Sequence, residues 1–403
     1  MKFVKSWGRL GMKYKLGDVS IINPREIIKK GTIAKKVDMA VLQPFTRKIP
    51  SFELLEYKGG TKFRNGDTIM ARITPCLENG KTSQVSILDD NEIGFGSTEY
   101  IVFRAKEGIS DCNFLYYLVC SDIVRDPAIK SMVGSSGRQR VQTDVIQNLE
   151  IDLPSLEIQK QIASILSVLD DKIEQNNQIN ENLEQQAQAI FKSWFVDFEP
   201  FGGVMPGKWC ETVLRNIATI STKSINPLKH PELYLEHYSI PAYDEQHYPV
   251  FEYANEIKSN KYVLTKNSVM ISKLNPATKR IWRPLCLSDN PVCSTEFIVY
   301  EAINPKHKDY IYSLIDSQSF SDYLCAHTTG STNSRQRATS KTTLDFPCVL
   351  PTNDTISQFC GVVTPIYNQI GANLIENQRL ASLRDTLLPK LMKGEIDVSA
   401  IKI

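Results

Sequence analysis

The second half of the chain repeats part of the first half at a constant distance of 197 residues. The run Ser97-Thr-Glu-Tyr-Ile-Val-Phe103 recurs as Ser294-Thr-Glu-Phe-Ile-Val-Tyr300, and Arg138-Gln-Arg140 recurs as Arg335-Gln-Arg337. The same register continues without gaps to the end of a long helical pattern. Because chance does not hold a register over so many positions, the sequence predicts one structural unit present in two copies.

The register loosens upstream of this shared part. The run Ile69-Met-Ala-Arg-Ile-Thr-Pro75 resembles Met270-Ile-Ser-Lys-Leu-Asn-Pro276, but at an offset of 201 residues. The front half of each copy has therefore diverged with small insertions. We expect the two copies to share an architecture and to differ in detail.

Each copy alternates β-rich runs with short helical patterns, which predicts a mixed α/β (α+β) domain. Runs such as EYIVFRA and EFIVYEA are bounded by Gly, Pro and Asn turns, and residues 113–121 and 309–317 have helical spacing. Pro154 and Pro351 then separate each domain from a long helix. The predicted boundaries are a first domain over 1–154, a central helix over 155–199, a second domain over 200–351, a C-terminal helix over 352–395 and a tail over 396–403.

The two long helices carry the most regular pattern in the chain. Both repeat at alternating spacings of four and three residues, which is the a/d heptad of a coiled-coil seam. The seam positions are Ile162, Leu166, Leu169, Ile173, Asn176, Asn180, Leu183, Ala187, Ile190 and Trp194, and then Phe359, Val363, Ile366, Ile370, Asn373, Asn377, Leu380, Arg384, Leu387 and Leu391. Roughly forty helical residues at 1.5 Å each predict a rod on the order of 60 Å long.

Both helices place two asparagines in the middle of the seam, at matching positions. A buried Asn costs stability unless it is paired, and in return it fixes register and partner. If the helices pair antiparallel about a pseudo-twofold axis, Asn176 lies opposite Asn377 and Asn180 lies opposite Asn373. The alternative is that these are ordinary polar residues of a solvated helix.

Composition narrows the function classes. The 403 residues are 42% hydrophobic and 23% charged, which is typical of a soluble globular protein. No apolar run reaches about eighteen residues and no signal peptide is recognisable, so we expect a cytoplasmic protein without a membrane segment. Nine cysteines without CxxC spacing and five histidines without metal-ligand spacing predict neither a metal site nor a catalytic centre. An enzyme with an unrecognised site stays open as an alternative.

Two matching loops carry side chains suited to nucleic-acid recognition. Small hydroxyls suit phosphate oxygens, whereas Arg and Gln can form paired hydrogen bonds with guanine and adenine edges. The DNA-binding candidates in these loops are Ser135, Ser136, Arg138, Gln139 and Arg140 in the first copy, and Ser331, Thr332, Arg335, Gln336 and Arg337 in the second. The alternative is that Arg and Gln brace the domain or the helix that follows.

A second set of DNA-binding candidates lies at predicted strand ends. Their counterparts in the two copies are again cationic or polar, although ordinary solvated strand ends explain them equally well. They are Arg72, Thr74 and Lys81 in the first copy, and Lys273, Asn275, Lys279, Arg280 and Arg283 in the second. Further base-reading residues are expected in the diverged front halves, where the sequence does not place them.

Charge is spread unevenly along the chain. Residues 1–154 carry a net charge of +5 and residues 155–199 carry −5, within an overall charge of +2. Mildly basic domains favour contact with a polyanion, whereas an acidic helix favours another partner. Ordinary surface variation explains the same numbers.

Taken together, these parts resemble the specificity (S) subunits of type I restriction-modification enzymes over essentially the whole chain. The motifs that carry the resemblance are the Leu-Pro entry to each helix followed by Gln161 or Gln358, the run Ala189-Ile-Phe-Lys-Ser-Trp-Phe-Val-Asp-Phe-Glu-Pro200, and Leu387-Leu-Pro-Lys-Leu391. The domain–helix–domain–helix repeat makes the combination specific. Arg384 departs from strict symmetry, because the first helix has Ala187 at that seam position; it marks either an end of the coiled coil or a contact with a partner.

The resemblance implies two target-recognition domains, each reading one half of a bipartite double-stranded DNA site, with the two helices as an antiparallel spacer. It also implies two modification subunits that bind S-adenosylmethionine and methylate adenine, and restriction subunits that complete the enzyme. S-adenosylmethionine, ATP and Mg are then expected on those partners, and no cofactor on this chain. Because the copies have diverged, the two half-sites should differ. A coiled-coil scaffold whose two domains bind proteins rather than DNA is the competing hypothesis.

Overall fold

The computed structural model describes residues 12–329 and 336–399, and the chain forms two compact units. Unit 1 consists of residues 1–175 and 379–403, and unit 2 consists of residues 176–378. Each unit therefore contains one copy of the repeat and one portion of each long helix.

Unit 1 contains two four-stranded sheets, with strand orders β2-β9-β6-β7 and β4-β3-β8-β5, and the two-stranded pair β1-β10. The second of these sheets is called the edge sheet of unit 1 below. The strands are β1 (Met12–Lys15), β2 (Ser20–Ile22), β3 (Ile33–Val37), β4 (Glu53–Glu56), β5 (Thr61–Phe63), β6 (Thr68–Ala71), β7 (Thr82–Gln84), β8 (Gly94–Gly96), β9 (Tyr100–Ala105) and β10 (Glu150–Leu153). The helices are α1 (Leu16–Val19), α2 (Cys112–Cys120), α3 (Asp122–Lys130), α4 (Thr143–Gln147) and the start of α5 (Leu156–Phe195).

Unit 2 repeats this arrangement. Its sheets have the orders β12-β20-β17-β18 and β13-β16-β19-β14-β15, with the pairs β11-β23 and β21-β22. The strands are β11 (Cys210–Val213), β12 (Ala218–Ser221), β13 (Ser224–Ile225), β14 (Tyr234–Tyr238), β15 (Val250–Tyr253), β16 (Lys261–Val263), β17 (Ser268–Ser272), β18 (Ile281–Trp282), β19 (Pro291–Ser294), β20 (Phe297–Ala302), β21 (Thr328–Thr329), β22 (Arg337–Ala338) and β23 (Pro347–Leu350). The helices are α6 (Ile240–Gln246), α7 (Lys308–Asp316), α8 (Gln318–Ala326), α9 (Ser340–Thr343) and α10 (Asn353–Met392).

The most similar segment of the two copies is the central strand of each unit, β9 or β20. Ile101 and Phe103 face the core beneath the helices, whereas Tyr100 and Val102 face the core of the edge sheet. In unit 2 the same alternation sends Ile298 and Tyr300 into one core and Phe297 and Val299 into the other. A strand that is buried on both faces tolerates little change, because each buried apolar side chain contributes about 1.5–3 kcal/mol. This explains why the EYIVF and EFIVY runs match.

Strand pairing shows where the register between the copies slips. Residues 33 and 234 are equivalent, because each begins the strand that forms the parallel pair β3-β8 or β14-β19. Residues 56 and 253 are equivalent too, because each pairs with that first residue from the antiparallel partner strand. The offset therefore falls from 201 to 197 within the connection between these two strands, where α6 lies in unit 2, and it returns to 201 by the next strand, because Thr61 and Tyr262 pair with the equivalent residues Gly96 and Cys293. The predicted divergence of the front halves is thus concentrated in the edge sheets and their loops.

The two long helices run antiparallel where they pair. In unit 2 the side-chain Nδ2 of Asn176 donates to Oδ1 of Asn377 at 2.9 Å. The side-chain Nδ2 of Asn373 donates to Oδ1 of Asn180 at 2.8 Å. Asn176, Asn180 and Asn373 are all buried. Both contacts that the sequence predicts are present, and the polar groups in the seam satisfy one another as buried amides must.

Arg384 is neither an end of the helix pair nor an exposed contact residue. Its Nη1 atom lies 2.8 Å from the Asp170 carboxylate inside unit 1, and the Arg384 side chain is only 11% exposed. The Tyr117 hydroxyl donates to the other oxygen of Asp170 at 2.6 Å. The departure from symmetry noted in the sequence is therefore an ion pair between the two helices. Sequence reasoning missed it because Asp170 lies outside the a/d pattern.

Candidate nucleic-acid interface

The two Arg-Gln-Arg segments join the same strand end in both units. The Thr74 N–H donates to the Gln139 carbonyl oxygen at 3.0 Å, and the Val141 N–H donates to the Arg72 carbonyl oxygen at 2.9 Å. In unit 2 the Asn275 N–H donates to the Gln336 carbonyl oxygen and the Ala338 N–H donates to the Lys273 carbonyl oxygen, both at 2.9 Å. The structure thus brings the two predicted candidate sets together in each unit, through backbone hydrogen bonds.

The last arginine of each segment forms an ion pair with the glutamate of the repeated Ser-Thr-Glu motif. Arg140 Nη2 lies 2.7 Å from Glu99 Oε1, and Arg337 Nε lies 3.0 Å from Glu296 Oε2. The hydrogen bond from Arg140 lowers the pKa of Glu99, so this carboxylate is ionised at neutral pH. These pairs connect two motifs that the sequence analysis treated separately. They give both arginines a bracing role, while DNA contact by them stays a prediction.

The tip of the first loop is open to solvent. Ser135, Ser136 and Arg138 are exposed, and within the described chain the Arg138 guanidinium has no hydrogen-bond partner. In the second copy, Ser331, Thr332 and Arg335 lie outside the described residues. In the Arg-Gln-Arg segment of unit 1, Arg138 is therefore the arginine whose charge is available to an external ligand.

The other candidates of unit 1 point toward protein atoms. Lys81 Nζ donates to the Met39 carbonyl oxygen at 2.9 Å, and Thr74 Oγ1 lies 3.6 Å from the Met132 sulfur. Arg72 Nη2 donates to the Val141 carbonyl oxygen at 3.4 Å, but its Nε is buried and has no hydrogen-bond partner in the described part of the chain. Their local contacts fit a role in holding the strand end and the adjacent loops.

Three cationic candidates of unit 2 are neutralised by internal carboxylates. Lys279 pairs with Asp316, Arg280 Nε lies 2.6 Å from Asp244, and Arg283 Nε lies 2.6 Å from Asp309. Arg283 also donates to Asn368 on α10 at 3.0 Å, so it secures the domain to the helix. Asn275 bonds Thr278 at 3.1 Å, whereas Lys273 has no side-chain hydrogen bond among the described residues. Contact of these residues with DNA stays a prediction.

Sequence reasoning missed a group of lysines at one end of the edge sheet of unit 1. Lys29 and Lys30 precede β3, Lys58 lies in the turn between β4 and β5, and Lys62 lies on β5. We call these four residues the lysine tip. Its only sequence signal is a lysine pair before Gly31 and two lysines around Gly59 and Gly60, in the diverged front half where base-reading residues were expected but not placed.

Among the described residues no group of three or more His, Cys, Asp and Glu side chains has the arrangement of a metal site. In the same part of the chain, no helix combines the length and the apolar character that crossing a membrane requires.

Comparison of the sequence with known proteins finds similarity to type I restriction enzyme specificity subunits. Residues 11–185 match the family profile described as type I restriction modification DNA specificity domain. The type I restriction enzyme HindI specificity subunit of Haemophilus influenzae is 25% identical over 83% of this chain and 87% of its own length. The MjaIX specificity subunit of Methanocaldococcus jannaschii is 26% identical over 73% of this chain and 71% of its own length.

The fold has a counterpart among solved structures. The crystal structure of a type I restriction-modification system S subunit from M. genitalium covers 97% of this chain and 97% of its own, with a TM-score of 0.58 and 14% identity. That likeness concerns the fold. The sequence matches, for their part, show a type I restriction modification DNA specificity domain over residues 11–185 and a similarity to type I restriction enzyme specificity subunits over most of the chain.

Proposed function

We propose that this chain reads a bipartite, asymmetric double-stranded DNA site, with one domain for each half-site. We assign target recognition to residues 1–154 and 200–351. The observation that carries this proposal is the duplication: two units share a central strand and a framework, and they differ in their edge sheets. Two different readers on one chain fit a site with two different halves.

The helices supply the spacer in this proposal, over residues 155–199 and 352–395. Each is a single helix of 40 residues, about 60 Å long at 1.5 Å per residue. The paired asparagines support a fixed register, because a one-turn slip would leave their amides buried without partners. A fixed register would give a fixed distance between the half-sites.

The partners in this proposal are two modification subunits and the restriction subunits of a type I complex. S-adenosylmethionine, ATP and Mg would be bound by those subunits, and this chain would contribute recognition and assembly. Such a complex acts on cellular DNA, so we place the protein in the cytoplasm. The matches to specificity subunits over most of the chain support this assignment.

The deciding experiment reconstitutes the chain with its methyltransferase subunits and measures the shift of duplex DNA fragments at several salt concentrations. We expect specific, salt-dependent binding, and methylated adenines that map to one two-part sequence. Arg138→Gln should weaken recognition of one half-site only, and Arg335→Gln should weaken the other. If the assembled complex retains no DNA fragment, the protein-binding scaffold is the better account of the two domains.

A further inference from the structure

Backbone hydrogen bonds bring the lysine tip together. The Gly31 N–H donates to the Tyr57 carbonyl oxygen at 3.1 Å, and the Tyr57 N–H donates to the Thr32 carbonyl oxygen at 2.8 Å. The loop that carries Lys29 and Lys30 therefore lies against the turn that carries Lys58 and leads to Lys62 on β5. Residues 25 and 26 positions apart in sequence thus meet at one end of the edge sheet.

The turn of the tip has a conformation that glycine alone accepts readily. Gly60 has a φ of +125°, and a side chain there would collide with the carbonyl oxygen of Gly96 on β8. Gly59 also has a positive φ, of +158°. Since other residues rarely adopt these angles, the glycines fix how the turn leaves β4 and enters β5. The lysines on either side are presented from a defined backbone.

The charge of the tip is left to solvent. Lys29 and Lys30 are exposed and have no ion-pair partner in the described chain, and Lys58 is 80% exposed with Glu56 at 3.6 Å. Lys62 lies over the Tyr57 ring, 5.5 Å from its centroid. Lys58 and Glu56 form an exposed, solvent-screened ion pair, so the net positive charge of the tip comes from Lys29, Lys30 and Lys62.

Neighbouring cations of unit 1, unlike Lys29 and Lys30, form ion pairs with carboxylates of the same unit. Arg104 forms two bonds of 2.7 Å with Asp67, and Arg64 Nε lies 2.7 Å from Glu26. Lys35, on β3, pairs with Asp89 and Glu92. These three cations are neutralised internally, whereas Lys29 and Lys30 have no ion-pair partner among the described residues and Lys58 has only the exposed pair with Glu56.

The corresponding end of unit 2 has mixed charge. Ala254 occupies the position equivalent to Tyr57. Its N–H donates to the Leu233 carbonyl oxygen at 2.9 Å, which is the same backbone bond that the Tyr57 N–H makes with the Thr32 carbonyl oxygen. The connection to the next strand spans 254–260 instead of 57–60. The charged residues near this connection are Lys229, His230, Lys258 and the buried Lys261, together with Glu232 and Glu256.

We propose that the lysine tip binds the phosphate backbone of DNA beside the half-site read by unit 1, and that the corresponding end of unit 2 contributes less to phosphate binding. This inference rests on the proposed function. Lysine ammonium groups act as point charges without base preference, so the tip should strengthen binding and leave the recognised sequence unchanged. The contribution should appear as part of the salt dependence of binding.

The test uses the full chain assembled with its methyltransferase subunits and a duplex containing the mapped site. The variant Lys29→Gln/Lys30→Gln/Lys58→Gln removes three charges from exposed side chains. The slope of log affinity against log salt should become shallower by about 0.9 for each lost phosphate contact, roughly 2–3 in total, while the methylated sequence is unchanged. The matched control is Lys13→Gln/Lys130→Gln/Lys160→Gln, which removes three exposed charges from β1, α3 and α5.

A second variant, with arginine at positions 29, 30 and 58, keeps the charge and should retain the wild-type slope. If wild-type complex binds DNA and the glutamine variant keeps its slope and affinity, the tip is not a phosphate contact. If the glutamine variant instead fails to assemble with the methyltransferase subunits during gel filtration, the tip contacts protein and the inference is overturned. If the wild-type complex itself does not bind, the proposed function fails, and this inference fails with it.

Discussion

The same place on the helix pair is filled by an ion pair in unit 1 and by an alanine and a tyrosine in unit 2. Asp170 and Arg384 correspond, at the 197-residue offset, to Tyr367 and Ala187. In unit 1 the carboxylate and the guanidinium are 2.8 Å apart, whereas in unit 2 the Tyr367 hydroxyl bonds Ser313 at 2.8 Å and Ala187 is fully buried. One backbone arrangement is thus stabilised by charge in one copy and by packing in the other.

The contrast continues at the ends of the helices. In unit 2, Phe195 lies 4.9 Å from Phe359 and 5.0 Å from Tyr310, measured between ring centroids. The corresponding positions of unit 1 are Met392, Ile162 and, since α2 and α7 align 196 residues apart, Phe114. Shared topology therefore does not require shared core chemistry, because a core needs matched volume and satisfied polar groups rather than particular residues.

The strand layer shows the same contrast. Arg104 in unit 1 corresponds to Glu301 in unit 2, and Asp67 corresponds to Ser268. The bidentate Arg104–Asp67 pair is replaced by a hydrogen bond of 3.3 Å from the Ser268 hydroxyl to Glu301. The duplicated framework has reversed the sign of the charge at this position and changed its partner at the same time.

The largest effect is expected from breaking the ion pair on the helices. Asp170→Ala leaves the Arg384 guanidinium buried without this carboxylate and removes the acceptor of the Tyr117 hydroxyl. The free energy of unfolding of unit 1 should fall by about 3–5 kcal/mol, as for other broken buried pairs. Urea unfolding, with amide exchange resolved between the units, measures it.

The matched change in unit 2 is Tyr367→Phe, which removes only the bond to Ser313 and should cost about 0.5–1.5 kcal/mol. The double variant Asp170→Leu/Arg384→Met should recover most of the loss, since it removes both charges together. If Asp170→Ala costs no more than Tyr367→Phe, the contrast between charge and packing is wrong.

The two asparagine pairs of the seam should differ in strength. Asn373→Ala leaves the side-chain oxygen of the buried Asn180 without the amide that donates to it, and should cost about 1–3 kcal/mol of unfolding free energy. Asn377→Ala should cost less, because the Asn176 amide still donates to Glu376 at 2.7 Å. Thermal unfolding of the two single variants compares them. Equal losses would mean that Glu376 does not substitute for Asn377.

Acid should weaken unit 1 through Glu26. The Arg64 guanidinium, aided by Arg104 and opposed by burial, lowers the pKa of this carboxyl. Stabilisation from the ionised form is therefore complete above the unfolded value of about 4.3 and is lost as pH falls through the lower folded value. Melting temperatures measured from neutral pH downwards should show this loss, and Glu26→Gln should remove it. A Glu26→Gln variant with the wild-type acid profile would contradict the assignment.

The smallest effect is expected where the two units agree. Glu99→Gln and Glu296→Gln each weaken an ion pair whose arginine is about half exposed, so stability should change little. Because the pKa of Glu99 is lowered, its small stabilisation is complete above about pH 4.3. It is lost as the pH falls through the lower folded pKa, as for Glu26. Faster amide exchange of residues 134–138 in Glu99→Gln would show that the pair orders the loop. Unchanged exchange would limit its role to the strand end.

Sequence patterns predicted the helix seam and the buried strands because their signals are local and periodic. The heptad fixed which helix face is buried, and the asparagine spacing fixed the antiparallel register that the structure contains. The strands β9 and β20 follow from apolar runs between turns. The edge sheets were not predicted, because strands such as β5 and β8 have three residues each and no periodicity.

The sequence by itself determined that this chain is a duplicated domain with paired helices, because a repeat and a heptad spacing depend only on the order of residues along the chain. The tertiary structure alone decided which arginines and lysines are neutralised internally. Arg140 meets a glutamate 41 positions away, and Arg384 meets an aspartate 214 positions away. Whether a cation is available to a ligand depends on such distant partners, because Coulomb interactions act through space and not along the chain. In unit 1 Arg140 is therefore held by Glu99, whereas Lys29 and Lys30 have no ion-pair partner among the residues that the structure describes.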